Sequence, residues 1–218
     1  FDKLYRNEEF RVYMFVVLFF VILVALSIYF IQGTDIEEAF RFSLFQVIAV
    51  ITTTGFVTSD FTSWSSAVTI VFFVLMFLGA SAGSTSGGVK IVRHLIIIKN
   101  SFLEFKRLLH PSAIIPVRLN KRVIMPKISF NVLAFFLLYI LIFMFGTIVM
   151  AASGENFITS LGSVAATLGN VGPGIGDVGP INNYAEISNI GKWFLSLLML
   201  LGRLELFTIL ILFTPYFW

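Results

Sequence analysis

The chain has 218 residues, of which 58% are hydrophobic and 12% charged, with a net charge of +3 and a mean hydropathy of +0.95. Soluble domains carry roughly a quarter charged residues, so this composition excludes an ordinary soluble protein and marks a membrane protein. Cysteine is absent, which excludes disulfides and thiolate metal sites.

The chain opens at Phe1 on a juxtamembrane segment bearing Lys3, Arg6 and Arg11, with no signal-peptide pattern, and is expected to be a piece of a longer protein. Glu9–Ile31 is predicted to be the first spanning helix. Its charge-free part, Val12–Ile31, is about 30 Å long as a helix, the thickness of a bilayer core. Gln32–Asp35 is an exposed turn, with Thr34 or Asp35 able to cap the next helix. Ile36–Ile51 is then helical, apolar after Arg41, and stops at Thr52, Thr53, Thr54 and Gly55.

That helix sets the topology. If it crossed the membrane, the basic segment from Lys90 to Lys127 would fall outside after the next span, against the positive-inside rule. A re-entrant helix removes the conflict: it enters from outside, stops mid-membrane, and the chain climbs back through Thr52–Asp60. Its C-terminal end, the negative end of the helix dipole, then faces the bilayer centre and favours a cation. Non-helical backbone at that depth is tolerated where it lines water or is buried in protein. Gly55 gives the backbone freedom to turn carbonyls inward and replace an ion's water. A threonine-rich turn after a buried helix is also simply a turn, and the ion reading draws its weight from a related arrangement downstream.

Ser63 is expected to start the next span, with Trp64 as an interface anchor, and the span runs through Leu78. Gly79–Gly88, GASAGSTSGG, holds four glycines and four Ser or Thr residues and will not hold a helix well. A phosphate-cradling P-loop is one reading, but the Gly-Lys-Ser/Thr ending and a preceding strand are absent. Small-residue helix packing is a second. The third, preferred here, is an unwound intramembrane loop under the filter, whose small residues can move aside. Lys90–Lys127 is a cytoplasmic connector, partly helical before Pro111. It carries nine of the fifteen Lys and Arg residues: Lys90, Arg93, Lys99, Lys106, Arg107, Arg118, Lys121, Arg122 and Lys127. His94 and His110 have no second ligand at metal spacing and read as surface histidines.

The pattern then repeats. Ser129–Ala152 is a span, Gly154–Asn156 a turn, and Phe157–Leu168 a short apolar helix ending in Thr167-Leu-Gly-Asn170-Val-Gly172-Pro-Gly174. Asn183 and Tyr184 lead through Trp193 into a last span ending near Phe213. Gly55 and Gly172 are 117 positions apart (172 − 55). Broken segments in matching positions of two repeats point to a transport site at the repeat interface. Asp35, Glu37, Glu38 and Asp60, with Glu155, Asp177 and Glu186, are placed outside, as a solvated face or a weakly cation-attracting mouth. Arg203 sits near the middle of the last span, too far from Trp218 to snorkel. Facing lipid it would cost about 2.5–3.5 kcal/mol or more, so it is expected to face the pore or a buried partner. Glu205, two positions on, points elsewhere on a helix. Arg203 is therefore either a positive barrier below the filter or half of a structural ion pair.

ITTTGF at 51–56, GASAGSTSGGVK at 79–90, LGNVGPGIG at 168–176 and LGRLELFT at 201–208 together resemble the membrane subunit of the Trk/Ktr/HKT potassium-transporter superfamily, most closely its Trk branch. The resemblance covers essentially the whole chain. It implies an all-α membrane protein of span–pore-loop–span repeats, four around one pore. This sequence carries two, by resemblance the third (1–92) and fourth (128–218), joined by a basic connector (93–127). The first two are expected elsewhere in the same protein. The resemblance further implies potassium as substrate, no cofactor in this chain, and filter carbonyls from Thr53, Thr54, Gly55, Asn170, Val171 and Gly172. It makes Gly79, Gly83, Gly87 and Gly88 parts of a gating loop that Arg203 contacts. A homodimer in the bacterial inner membrane is implied, with the N-terminus and the 90–127 connector cytoplasmic. So is a cytosolic nucleotide-binding regulatory subunit on the connector; nucleic acid is not implied. A single glycine before Phe56 departs from the strict potassium-channel signature. Two rival readings are a membrane enzyme with Ser84 or Ser86 as nucleophile and Lys90 as its base, and a non-conducting scaffold subunit.

Overall fold

The computed structural model describes residues 5–204 and 206–212. Lys3, Glu205, Trp218 and the expected end of the last span at Phe213 lie outside the described residues.

Helix α1, Glu8–Gln32, begins at Asn7, whose side chain accepts from the Glu9 N–H at 2.9 Å. Glu8 and Glu9 in its first turn suit the positive end of the helix dipole. It stops at Gly33, whose left-handed φ of 67° closes a bond to the Tyr29 carbonyl. Val17, Val21, Val24 and Ile28 form its buried stripe, while Phe15, Phe19, Ile22 and Leu26 stay exposed. A helix that is apolar all round and buried on one stripe is suited to lipid on its other faces.

Helix α2, Ile36–Ile51, folds back along α1. Asp35 occupies the capping position as expected, but its side chain makes no capping bond, and Thr34 Oγ1 is buried without a partner. Glu37 and Glu38 in the first turn supply the favourable charge instead. The next helix is shorter than expected: α3 spans Ser66–Leu75, with Ser65 Oγ accepting from the Val68 N–H. Asp60 holds the turn before it, accepting from Thr62 N at 2.9 Å and Thr62 Oγ1 at 2.5 Å. Trp64 is no interface anchor. It is 6% exposed, beside Phe72, which stacks on Phe61 at 4.4 Å. A ten-residue helix is too short to shield this end of the core, and the indole fills the gap.

Beyond α3 the chain is not helical. Strand β1 (Leu78–Gly79) pairs in parallel with β2 (Val89–Lys90), pinching off the intervening Ala80–Gly88 as a loop. Helix α4, Ile91–Leu109, leads to a hairpin of β3 (Arg118–Leu119) and β4 (Arg122–Val123), turned by Asn120 and Lys121 at φ of 50° and 65°. His110 is exposed as expected. His94 is not a surface histidine: it is half-buried beside the edge of Phe136, its Nδ1 is 3.3 Å from the Lys90 carbonyl, and desolvation lowers its pKa.

The second repeat opens with α5, Pro126–Ala152, which starts three residues earlier than expected because Pro126 suits the first helical turn. Helix α6 is Phe157–Leu168, capped by Asn156, and is buried from Thr159 to Leu168 except at Leu161. A Cβ on Gly146 would lie 3.0 Å from Val164 and 3.1 Å from Leu198, so α5 meets α6 and α7 at a small residue. The last span is broken rather than straight. Helix α7, Asn189–Arg203, and helix α8, Leu206–Leu212, differ in direction by 115°. Among the described residues α1 and α5 are long and apolar enough to cross a membrane, and α7 with α8 makes a third if the bent pair is one span. Helices α2 and α6, at 16 and 12 residues, are too short to cross a core of roughly 30 Å.

At the base, Lys99 of α4 bonds the Glu8 carboxylate and the Arg118 carbonyl, and Asn120 Oδ1 accepts from the Glu8 N–H at 2.7 Å. The Lys99 bond comes first among the causes that hold Glu8 below the usual carboxylate range. A depressed carboxylate contributes stability that is present above its unfolded pKa and lost as pH falls through the folded one. Lys99→Met should therefore cost about 1 kcal/mol or less near neutrality. That difference should vanish on acidification through the Glu8 titration, as read by thermal unfolding of the full-length protein in detergent.

Candidate functional site

The ends of α2 and α6 are built alike. In the first repeat, Thr52 N donates to Ile48 O at 2.9 Å, Thr53 N to Val50 O at 3.1 Å and Thr54 N to Ala49 O at 3.0 Å. In the second, Gly169 N donates to Ala165 O at 2.9 Å, Asn170 N to Thr167 O at 3.1 Å and Val171 N to Ala166 O at 2.8 Å. Every residue pair is offset by 117 (169 − 52, 170 − 53, 171 − 54). The left-handed residues repeat as well: Thr53 (φ 56°) with Asn170 (φ 56°), and Gly55 (φ 72°) with Gly172 (φ 108°). Thr54 and Val171 between them are not left-handed. In alternating right- and left-handed backbone successive N–H groups converge on one side, so the carbonyls face the other. Thr52 Oγ1 bonds Ile48 O at 2.7 Å and Thr54 Oγ1 bonds Ala49 O at 3.2 Å, so these hydroxyls cap the helix end. The carbonyls of Thr53, Thr54, Gly55, Asn170 and Val171 accept no hydrogen bond among the described residues.

The two turns touch. A Cβ on Gly55 would sit 2.2 Å from the Val171 carbonyl oxygen and 3.3 Å from Pro173 Cδ. A Cβ on Gly172 would have only Gly55 Cα nearby, at 3.9 Å. Val171 buries its side chain in the apolar cluster of the first repeat, with Val47, Val50 and Met76, so the repeats interlock. Thr54 and Gly172 are exposed, beside a cavity of about 420 Å³ that Asn170 and Tyr184 also line.

The small-residue loop lies against both turns. Gly87 N donates to Thr53 Oγ1 at 3.2 Å, and a Cβ on Gly87 would lie 2.5 Å from Asn170 Cβ and 2.6 Å from the Gly169 carbonyl oxygen. Gly79 is equally confined, with the Gly87 carbonyl oxygen 2.6 Å away from its Cβ position. Gly88 has φ 69°, and its Cβ would lie 3.7 Å from Gly169 O. Gly83 is different: it is exposed, with φ 90° and open space around it, so it turns the loop but packs nothing. Lys90 Nζ donates to Ser84 O, to Ser86 O and to Ser86 Oγ. Ala82 N donates to a Glu9 carboxylate oxygen at the start of α1.

Arg203 lies at the break between α7 and α8. It ends α7, where a cation meets the negative end of the helix dipole, and it is exposed to a cavity shared with Ser84, Thr85, Lys90 and Arg93. It makes no ion pair among the described residues. Its neighbour Gly202 admits the end of α6 closely, since a Cβ there would fall 2.0 Å from Leu168 O. Asn170 Nδ2 donates to Met199 O at 3.1 Å and ties the second turn to α7.

Other residues support the turns without a signal strong enough to single them out in the sequence. Buried Gln46 donates to Ser59 O at 2.5 Å, and Asp177 accepts from Asn156 Nδ2 at 2.6 Å and Thr159 Oγ1 at 2.8 Å. Asp60 and Asp177 are thus engaged in holding loops rather than standing free at a mouth. Lys90, the base of the enzyme reading, is bonded within the loop itself, to Ser84 O, Ser86 O and Ser86 Oγ. A scaffold gives no account of two matched turns with carbonyls left open. Among the described residues no three His, Asp or Glu side chains converge to hold a metal.

The TrkH family model, described as a cation transport protein, matches residues 9–217. The Trk system potassium uptake protein TrkH of Halomonas elongata is 36% identical over 214 residues, covering 98% of this chain and 44% of that one. Its namesake from Salmonella typhimurium is 38% identical over 219 residues, with the same coverage. The crystal structure of the potassium transporter TrkH from Vibrio parahaemolyticus matches with a TM-score of 0.91 at 34% identity, covering 99% of this chain and 46% of that chain. This chain spans less than half the length of these relatives. A family model that matches nearly the whole chain, together with these relatives, places it: the chain belongs to the TrkH family of cation transport proteins.

Proposed function

We propose that this chain supplies the third and fourth repeats of a potassium-uptake pore whose first two repeats lie elsewhere in the same protein. The observation that carries this reading is the contact between Gly55 and the Val171–Gly172 turn, built twice with one backbone pattern. Thr53, Thr54, Gly55, Asn170, Val171 and Gly172 offer carbonyl oxygens, the hard ligands that replace the water of a dehydrated alkali cation. Helices α2 and α6 enter from outside and end at the bilayer centre, with their negative dipole ends toward the ion. Transport, not catalysis, is the activity. The relatives are named as potassium uptake proteins, and that substrate is carried over to this chain.

The loop from Gly79 to Gly88 is the gate. It sits against the cytoplasmic side of both turns, and glycines at 79 and 87 let backbone approach backbone there. Lys90 and Glu9 hold it, and Arg203 adds positive charge to the same exit. The N-terminus and the 90–127 connector face the cytoplasm of a bacterial inner membrane by the charge rule. A homodimer, with a cytosolic nucleotide-binding regulatory subunit on the connector, completes the proposed assembly.

Ion flux into proteoliposomes of the full-length protein tests the filter. Gly55→Ser should abolish assembly of the site, because its Cβ has no room and its φ is left-handed. Gly172→Ser should still fold, because its Cβ faces open space, and strain of about 1–2 kcal/mol should appear as lost potassium-over-sodium preference. Folded protein with unchanged selectivity in both variants would sink the filter assignment.

Two further variants test the gate. Arg203→Ala should raise potassium flux if its charge is a barrier, with thermal stability unchanged. Glu9→Ala should also raise flux, by releasing Ala82. A decrease in flux in folded protein for either would contradict the gate as described.

A further inference from the structure

We propose that Tyr184 is a positioning residue for the filter: its phenol fixes the Gly172 carbonyl and so sets how well that position tells potassium from sodium. The inference rests on the filter reading above and assigns it a residue outside the two turns.

Gly172 is the loosest point of the paired turns. It is exposed, and its Cβ position meets nothing nearer than Gly55 Cα at 3.9 Å, whereas Gly55 is jammed against Val171 and Pro173. A glycine in open space leaves its peptide plane free to rotate. The Tyr184 hydroxyl supplies the missing restraint by donating to Gly172 O at 2.8 Å. Tyr184 is half-buried, and burial pushes its phenol further up, so it remains a donor at physiological pH.

The tyrosine is itself held. Asn183 Oδ1 accepts from Ala185 N at 2.8 Å, and Lys192 Nζ of α7 donates to Ala185 O at 2.7 Å. A chain of bonds therefore runs from α7 through Lys192 and the Asn183 turn to the filter carbonyl. The first repeat has no counterpart. The position 117 residues before Tyr184 is Ala67 (184 − 117), and the Gly55 carbonyl accepts no hydrogen bond among the described residues. Repeat symmetry alone thus does not provide this contact.

A carbonyl oxygen has two lone pairs. The phenol takes one and leaves the other for a cation, while fixing the direction in which it points. Potassium and sodium differ in the ligand distance they require, so a carbonyl free to swing inward favours the smaller ion. Removing the hydroxyl should lower potassium preference with little loss of flux.

Competition between Rb⁺ and Na⁺ for uptake into proteoliposomes of the full-length protein provides the test. Tyr184→Phe should lower the Rb⁺/Na⁺ preference by about threefold to tenfold, the range one neutral hydrogen bond commands. Ring-fluorinated tyrosine at 184, a stronger donor of nearly the same shape, should shift the preference the opposite way. A merely structural tyrosine would change protein yield or thermal stability and not this ratio. If Tyr184→Phe does not fold, Lys192→Met, which frees Ala185 but keeps the ring, should lower the preference in the same direction. An unchanged ratio in folded Tyr184 or Lys192 variants, with Gly172→Ser altered, overturns the inference and spares the filter. An unchanged ratio in all of them, Gly172→Ser included, overturns both.

Discussion

Two turns of backbone meet here with no space between them for a side chain. A Cβ at Gly55 would overlap the Val171 carbonyl oxygen, at 2.2 Å. This constraint dictates much else in the fold. The turns meet only if α2 and α6 deliver their C-termini to one place, and side chains of both repeats hold them there. In the C-terminal half of α2, Gln46 grips Ser59, and at the start of α6, Asp177 grips Asn156 and Thr159. Beyond α6, Val171 is driven into the apolar cluster of the other repeat. The carbonyls this exposes would be costly if buried. A polar group shut away from any partner loses about 1–3 kcal/mol, and these carbonyls escape that cost by lying beside an open cavity.

The loop below the turns obeys the same constraint by different means. Gly79, Gly87, Gly169 and Gly202 all lack the room for a Cβ, and each faces a backbone carbonyl oxygen at 2.0–2.6 Å from where one would be. Four glycines thus let four segments of chain converge behind the paired turns. Polar contacts, not apolar burial, hold the loop, through Thr53, Lys90 and Glu9. Hydrogen bonds of this kind are individually modest, and a segment held by a few of them opens more readily than a packed helix.

Two consecutive residues of α1 join this loop to the connector helix α4. Glu8 is bonded to Lys99 of the connector helix, and Glu9 to Ala82 of the loop. The two contacts stand on neighbouring residues of one helical turn.

Composition and periodicity alone established a membrane protein, because a charge-free apolar run as long as Val12–Ile31 has lipid as its natural solvent. The charge rule and the matched Gly55 and Gly172 were enough to expect two re-entrant arrangements, and α2 and α6 end at the residues anticipated. Local chemistry also marked Gly79–Gly88 as non-helical, since glycine and serine oppose a helix wherever they sit. What local chemistry missed was set by neighbours distant in the chain. Trp64 is buried because α3 is only ten residues long, His94 is half-buried because Phe136 arrives from α5, and the last span breaks at Arg203. Glu9, Lys90 and Tyr184 have side chains that suit many places on a surface, and nothing in their spacing says what they reach. Only the folded chain brings Glu9 to Ala82 and Tyr184 to Gly172, across 73 and 12 positions, because a hydrogen bond depends on where its two atoms stand and not on how far apart they lie in sequence.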